Sequence, residues 1–474
     1  MTFYFYDLET SGVNPRSSRI MQFGGQRTDL NLKPIGKPDN FLIKLTEDIL
    51  PDPEAVLIHG ITPQKAKADG ITESEAAKYL TSQVFLPDTI VVGFNNIRFD
   101  DEFIRHLFWR NFTDSYEWHY KDGRSRWDLL DVARMTRALR PEGINWPFAS
   151  DGTPSNKLEL LALVNKLDHD IAHDALSDVM ALLAVARLLQ NKQTKLFNYL
   201  LKMRSKNLVG ALVTKGEPFI YTSGRYPSDF DKTTVAVMIA PHPDRDAALV
   251  YDLRVNPTQY TDLTPVRLAK LWSLRGKDAP YFPIKKLSFN RCPAIAPLNV
   301  LDSSSAVRLK IDSAAVDKNF TKLKMVQDFG DKAVAALEII EPPRQPELLA
   351  NEQTVDGQLY EGFINSADKT KASVVRAADG HSLADLQLDF ADERLKALFL
   401  LYKARNYFSS LNPDETQRWD NYRHVRLTDG GDSSRLNLYF ARLNELGAQP
   451  RLTKDQKYLL SELKSYGQSI VPDG

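Results

Sequence analysis

Cysteine is almost missing from this chain of 474 residues, Cys292 being the only one. An intrachain disulfide and a cysteine-rich zinc site are thereby excluded. Net charge is missing too: 61 Lys and Arg balance 61 Asp and Glu. That argues against a surface coated in positive charge for nucleic acid. It leaves room for a locally basic groove, because a sum does not say where charges sit. Long apolar runs are also lacking. Stretches such as Val91-Val92-Gly93-Phe94 and Ala397-Leu398-Phe399-Leu400-Leu401 fall far short of the roughly 18 residues a membrane span needs. The opening Met1-Thr2-Phe3-Tyr4-Phe5-Tyr6-Asp7 has no basic segment and soon meets an acid. No signal peptide is expected, and the expected location is cytoplasmic, with no membrane partner.

What is present is enough chain for about three domains. From residue 1 to 190 the pattern is α/β. Thr2–Asp7, Ile20–Arg27 and Asn40–Leu45 read as strands separated by Gly- and Pro-bearing turns. Helical spacing follows over Glu73–Phe85 and Asp101–Phe112, a buried strand over Thr89–Phe94, and helices over Lys157–Val164 and Asp174–Leu189. This order predicts a mixed sheet covered by helices. A second domain over 194–347 begins with short strand-like runs (Phe219–Thr222, Thr234–Ala240, Ala248–Leu253) and ends in a helical stretch, Ala314–Ile339, before a Pro-rich linker. A third, over 350–474, reads as all-α, with helices over Leu359–Asn365, Arg394–Asn406, Pro413–Leu427, Gly431–Leu446 and Lys454–Tyr466.

Three segments carry chemistry. At the end of the first strand stands Asp7-Leu8-Glu9. Alternation puts both acids on one face and Leu8 on the other. Paired carboxylates repel unless a cation lies between them, and hard divalent cations prefer oxygen ligands. Two solvated acids at a strand end fit equally well. In the second segment, Gly93-Phe94-Asn95-Asn96-Ile97-Arg98-Phe99-Asp100, a strand runs into a turn and an acid opens a helix. Asp100 reads as a ligand or as an ordinary N-cap, and with Asp101 and Glu102 directly behind it composition alone does not choose the ligand. In the third, His173-Asp174-Ala175-Leu176-Ser177-Asp178, an imidazole precedes a helix that carries Asp178 one turn beyond Asp174. His173 is a candidate general base, and acids favoured by the helix dipole are the plainer reading of Asp174 and Asp178.

Taken in order, Asp-x-Glu on a first strand, an Asp about ninety residues later, and His-x4-Asp at a late helix resemble the DEDDh family of 3′→5′ exonucleases. Further segments resemble its bacterial exodeoxyribonuclease I branch: Phe94 to Glu102, Ser125-Arg126-Trp127-Asp128-Leu129-Leu130-Asp131, Ala138 to Pro147, Gln358-Leu359-Tyr360-Glu361-Gly362-Phe363 and Tyr402-Lys403-Ala404-Arg405-Asn406-Tyr407. The resemblance implies a ribonuclease H-like exonuclease domain, an SH3-like domain and a C-terminal helical domain. It implies processive 3′→5′ digestion of single-stranded DNA to nucleoside 5′-monophosphates, in DNA repair and recombination. By the same resemblance Asp7, Glu9, Asp178 and Asp100 hold two Mg²⁺, or Mn²⁺ in its place, and His173 takes the proton of the attacking water. Glu9, Thr10, His59 and Gly60 meet the terminal nucleotide, although Ile58-His59-Gly60-Ile61-Thr62 also reads as a plain turn that closes a strand and opens a helix at Pro63.

A DNA groove needs basic residues interleaved with aromatics. Phe99, Arg105, Trp109 and Arg110, then Arg124, Arg126 and Trp127, then Trp272 to Lys286 offer that mixture. Arg126 is carried as a substrate contact. Arg140, also carried as one, and Arg308 are the candidates for receiving the acidic C-terminal tail of single-stranded DNA-binding protein, which the family docks. One groove per chain needs no second copy, so a monomer is expected.

Overall fold

The computed structural model describes residues 1–167, 174–244, 246–276, 279–341 and 354–471. Its first sheet has the order β3-β2-β1-β4-β5, with β1 Thr2–Thr10, β2 Ile20–Thr28, β3 Asp39–Leu42, β4 Thr89–Gly93 and β5 Ser125–Asp128. The first three strands pair antiparallel, while β4 joins β1 and β5 joins β4 in parallel. This is the expected mixed sheet. Helices α1 (Pro53–His59), α2 (Pro63–Asp69) and α3 (Glu73–Tyr79) follow β3, and α4 (Asp100–Arg110) follows β4. Then come α5 (Leu129–Leu139), α6 (Leu158–Val164) and α7 (Ala175–Lys192).

The alternation of β1 decides what each face does. Tyr4, Tyr6 and Leu8 enter a core with Phe23, Val91, Ala76, Phe103 and Leu107, on the side of α3 and α4. Phe3 and Phe5 point the other way, joining Ile90, Val92, Trp127, Val132 and Val179 on the side of α5 and α7. Asp7 and Glu9 continue this second series and so face α7.

Some expected elements change. The helix expected over Glu73–Phe85 is α-helical only to Tyr79, after which Leu80–Val84 forms a single π turn. Helix α1 went unread: seven residues are too few to show a period, although it starts with Pro behind a capping side chain, Asp52. Helix α2 starts at Pro63, where the turn reading of Ile58-His59-Gly60-Ile61-Thr62 opens a helix.

The second domain is built on an antiparallel sheet of order β10-β6-β7-β8-β9: β6 Phe219–Thr222, β7 Thr233–Pro241, β8 Ala247–Asp252, β9 Ile284–Ser288 and β10 Ala294–Pro297. The helix expected over Ala314–Ile339 is two, Ser313–Met325 and Phe329–Ile340, separated where Val326 turns to extended backbone. Ile220, Val235 and Leu249 of this domain share one core with Trp127 and Leu139 of the first.

The last domain is helical, as expected. Its predicted first helix, Leu359–Asn365, is instead a 3-10 turn over Val355–Tyr360 that ends before Gly362, whose φ of 145° continues no helix. The helix expected from Gly431 starts at Arg435. The domain packs onto the first through Trp109 and Phe112 against Phe390, Leu395 and Tyr402, and through Leu45 and Ile49 against Leu427 and Tyr466. A buried ionic network reinforces the seam. Arg405 donates to Asp356 at 2.8 Å and to Asp48 at 2.7 Å, and Arg19 reaches Asp356 at 2.6 Å. Burial opposes the charge on Asp48, yet Arg405, Arg426 and Arg19 outweigh it and hold its pKa at about 2. Among the described residues no helix is long and apolar enough to cross a membrane.

Candidate active site

Two elements deliver the three acids that converge. Asp7 and Glu9 come from β1, and Asp178 lies in the first turn of α7. One oxygen from each of the three carboxylates lies within 4.8 Å of the others, and each residue keeps partial access to solvent. The close approach of α7 depends on Gly24, the ladder partner of Asp7. A Cβ on Gly24 would stand 2.5 Å from the backbone carbon of Ala175.

The neighbouring strand ties down the helix start. Gln22, opposite Glu9 in the ladder, donates to Asp174 Oδ1 at 2.7 Å and accepts from the Ala175 N–H at 3.2 Å. Asp174 is the N-cap of α7, accepting from the Ser177 N–H, so the plainer reading accounts for Asp174, whereas Asp178, also in the first turn, in addition meets Asp7 and Glu9. Gln22 escaped the sequence reading, although an amide set between Met21 and Phe23 was a usable signal.

Asp100 arrives from the end of β4. It is the first residue of α4, is 5 % exposed, and makes no side-chain cap bond; Phe99 holds the cap position. The ordinary N-cap reading therefore fails. Asp100 lies outside the triad of Asp7, Glu9 and Asp178 but close by, its charge being the strongest neighbouring charge on Asp7.

Electrostatically the site is loaded. Loss of surrounding water first, then the charges of Asp100, Asp178 and Glu9, push Asp7 well above the usual carboxylate range. Burial followed by Asp178 and Asp174 pushes Glu9 up to about 8. Burial, then Asp101, raises Asp100 as well. An oxygen-only donor set crowded enough to resist its own ionisation fits a hard divalent cation, whose charge relieves the repulsion. The site is a metal-dependent one.

A cleft of about 670 Å³ opens beside the acids, lined by Gln22, Asn40, Leu57, His59, Gly60 and Asp174 among others. His59 Nδ1 accepts from the Ile61 N–H at 3.0 Å, closing the turn in which Gly60 takes a φ of 73° and leaves open space where a side chain would stand. Thr10 Oγ1 donates to the Gly12 carbonyl at 2.9 Å, shaping the loop that leaves β1. The structure thus brings His59 and Gly60 to the cleft next to the acids. His173 lies outside the described residues.

The expected groove residues divide. Arg126 is turned inward, 8 % exposed, its guanidinium bonded to Asp101 and to the Asn290 carbonyl, which corrects its placement on the DNA path. Arg110 is likewise buried against Glu73, and Trp109 and Trp127 are core. Phe282 stacks on Trp272 in the second domain's core. Arg140 lies at the seam of the first two domains, bonded to the Val300 carbonyl and paired with Asp302 at 3.1 Å, its side chain 35 % exposed. Arg308 joins the same seam, donating to the Ala138 carbonyl at 2.8 Å.

Residues 4–186 match the family described as "Exonuclease", 204–338 the "Exonuclease I SH3-like domain" and 353–470 the "Exonuclease I C-terminal domain". Fold and site together define a metal-dependent hydrolase of phosphodiester bonds, of the exonuclease class. The chain is 38% identical over 478 residues to exodeoxyribonuclease I of Haemophilus influenzae, covering 99% of each. It is 40% identical to the moderately thermophilic exonuclease I of Methylocaldum szegediense, with a TM-score of 0.91 and 99% of each chain covered. Against Escherichia coli exonuclease I in complex with a dA16 oligonucleotide the TM-score is 0.93 at 37% identity, over 99% of this chain and 100% of that one. The chain belongs to the exodeoxyribonuclease I family.

Proposed function

We propose that this chain degrades single-stranded DNA from its 3′ end, releasing nucleoside 5′-monophosphates one at a time without leaving the strand between cuts. The convergence of Asp7, Glu9 and Asp178 oxygens within 4.8 Å carries the reading. Asp7, Glu9 and Asp178 would hold one Mg²⁺, and Asp100 with Asp7 would help to hold a second. Bound there, the cations supply the positive charge that a phosphodiester anion needs before water can attack it, and Mn²⁺ serves in place of Mg²⁺.

The chain's own residues do the rest. His173, one residue before the cap of α7, accepts the proton of the attacking water. Glu9 and the loop held by Thr10 border the terminal sugar, and the open face at Gly60 lets the terminal nucleotide lie against backbone beside His59. Three domains around one path keep the next phosphate at high local concentration, which favours repeated cutting over release. Arg140 and Arg308, both bonded across the seam, are the candidates for the carboxylates of the single-stranded DNA-binding protein tail.

The test is digestion of 3′- or 5′-labelled single-stranded DNA with Mg²⁺ or with EDTA. Mg²⁺-dependent mononucleotide release from the 3′ end is expected. Internal cutting, 5′-end release or equal digestion of RNA of the same sequence would overturn the reading.

A further inference from the structure

A side chain of the first sheet links the second domain to the neighbourhood of the acid cluster. Arg126, the second residue of β5, gives Nη1 to Asp101 Oδ2 at 2.6 Å and Nη2 to the carbonyl of Asn290 at 3.1 Å. Asn290 lies in the turn between β9 and β10, and Cys292 at the end of that turn donates its thiol to the Arg126 carbonyl at 3.1 Å. Arg126 is thus held by the second domain at both its side chain and its backbone.

Its partner Asp101 has no exposure at all. Asp101 Oδ1 accepts from the Tyr6 hydroxyl at 2.5 Å and from Asn96 Nδ2 at 3.0 Å. Tyr6 immediately precedes Asp7, and Asp101 immediately follows Asp100. One buried carboxylate therefore joins the neighbours of two acids in the cluster, and Arg126 supplies its countercharge from the seam between the domains. A buried carboxylate stripped of its closest cation is strongly unfavourable, so loss of Arg126 is expected to disturb the first turn of α4 and, with it, the placement of Asp100.

We propose that Arg126 is a positioning residue that couples the seating of the SH3-like domain to the placement of Asp100 beside Asp7. The contact with Asn290 is to a main-chain carbonyl, so it responds to where that turn stands and not to its side chains. Supports of this kind around metal ligands typically govern affinity and activity by about 10–100-fold. The proposal rests on Asp100 belonging to the metal centre, and the experiment separates the two claims.

Arg126→Met, Arg126→Lys, Asp101→Asn and the double variant Asp101→Asn/Arg126→Met are compared with wild type, with Asp100→Asn as reference. Three quantities are read: Mn²⁺ binding without DNA by electron paramagnetic resonance, oligothymidylate affinity in EDTA, and the single-turnover cleavage rate. Arg126→Met is expected to weaken Mn²⁺ binding and slow cleavage by about tenfold or more, with DNA affinity in EDTA unchanged. Arg126→Lys should recover part of the loss, because it keeps the charge beside Asp101 and gives up the fork to Asn290. The double variant should be no worse than Arg126→Met, since both changes break one linkage. Weakened DNA affinity with normal Mn²⁺ binding would make Arg126 a substrate contact and overturn the proposal. Wild-type values in Arg126→Met beside a defective Asp100→Asn would overturn the linkage alone, whereas wild-type values in Asp100→Asn would overturn its place in the metal centre. If Arg126→Met fails to fold by circular dichroism, Arg126→Lys and Asp101→Asn decide on the same three readouts.

Discussion

Gly24 and Ala175 meet backbone to backbone: a Cβ on Gly24 would lie 2.5 Å from the Ala175 carbon and 2.6 Å from the Leu176 nitrogen. Gly24 is also the ladder partner of Asp7, so the absence of one side chain lets α7 bring Asp178 to β1. Neither backbone can yield as a flexible side chain would. Gly24→Ala should therefore push the start of α7 outward, cost about 1–3 kcal/mol of stability and lower kcat by at least tenfold, while binding of single-stranded DNA in EDTA is retained. Thermal unfolding and steady-state kinetics check both halves.

Asp178→Asn should separate stability from activity. It removes a charge that raises the pKa of both Asp7 and Glu9. Cleavage should fall more than about a hundredfold. The cation-free protein should become more stable by on the order of 1 kcal/mol, a figure reduced for the partial solvent access of these groups. Calorimetry in EDTA reads the stability gain, and unchanged or lowered stability would contradict the repulsion argument.

The same repulsion sets a pH dependence. Glu9 ordinarily ionises near 4.5 and here near 8. A raised folded-state pKa contributes stability that is fully present below pH 4.5 and is lost as pH rises through about 8. In EDTA the melting temperature should therefore decline across that window from this group, and Glu9→Gln should flatten the decline. Saturating Mg²⁺ should flatten it too, with release of protons on binding. Melting curves at several pH values with and without Mg²⁺ test the sign.

The seam between the first and last domains should fail in acid, with the opposite sign. Asp48 is depressed from 3.8 to about 2, and Asp356 lies well below the usual range because Arg405 and Arg19 outweigh the cost of its burial. Stability from both is present above pH 3.8 and is lost as pH falls toward 2. Arg405→Met should destabilise by about 3–5 kcal/mol at neutral pH, since it leaves two buried carboxylates short of a cation. A cost under about 1 kcal/mol in thermal unfolding would show the network to be dispensable.

Legibility followed distance along the chain. Asp7 and Glu9 could be put on one face because strand alternation spans two residues, and the ordered acids resembled a known family whose three-part architecture the structure reproduces. Short elements were lost for want of a period, as with α1 and β5, the latter only four residues long. Asp100 and Asp174 show what local pattern could not separate. Both are acids at helix starts, yet only Asp174 caps its helix, and Asp100 is buried beside other acids instead.

Arg126 shows the reverse error. Beside Arg124 and Trp127 it has the composition of a DNA groove, but its partners are Asp101, 25 positions away, and Asn290, 164 away. The Arg19–Asp356 bond spans 337 positions. The amino-acid sequence by itself determined the kinds of groups available, their order, the alternation that turns two acids toward one side, and the family. Only the tertiary structure decided which acids converge, which arginines face inward and which glycine lets a helix close on a strand. A buried charge takes its partner from whatever the packed core sets beside it, and the core is assembled from residues hundreds of positions apart.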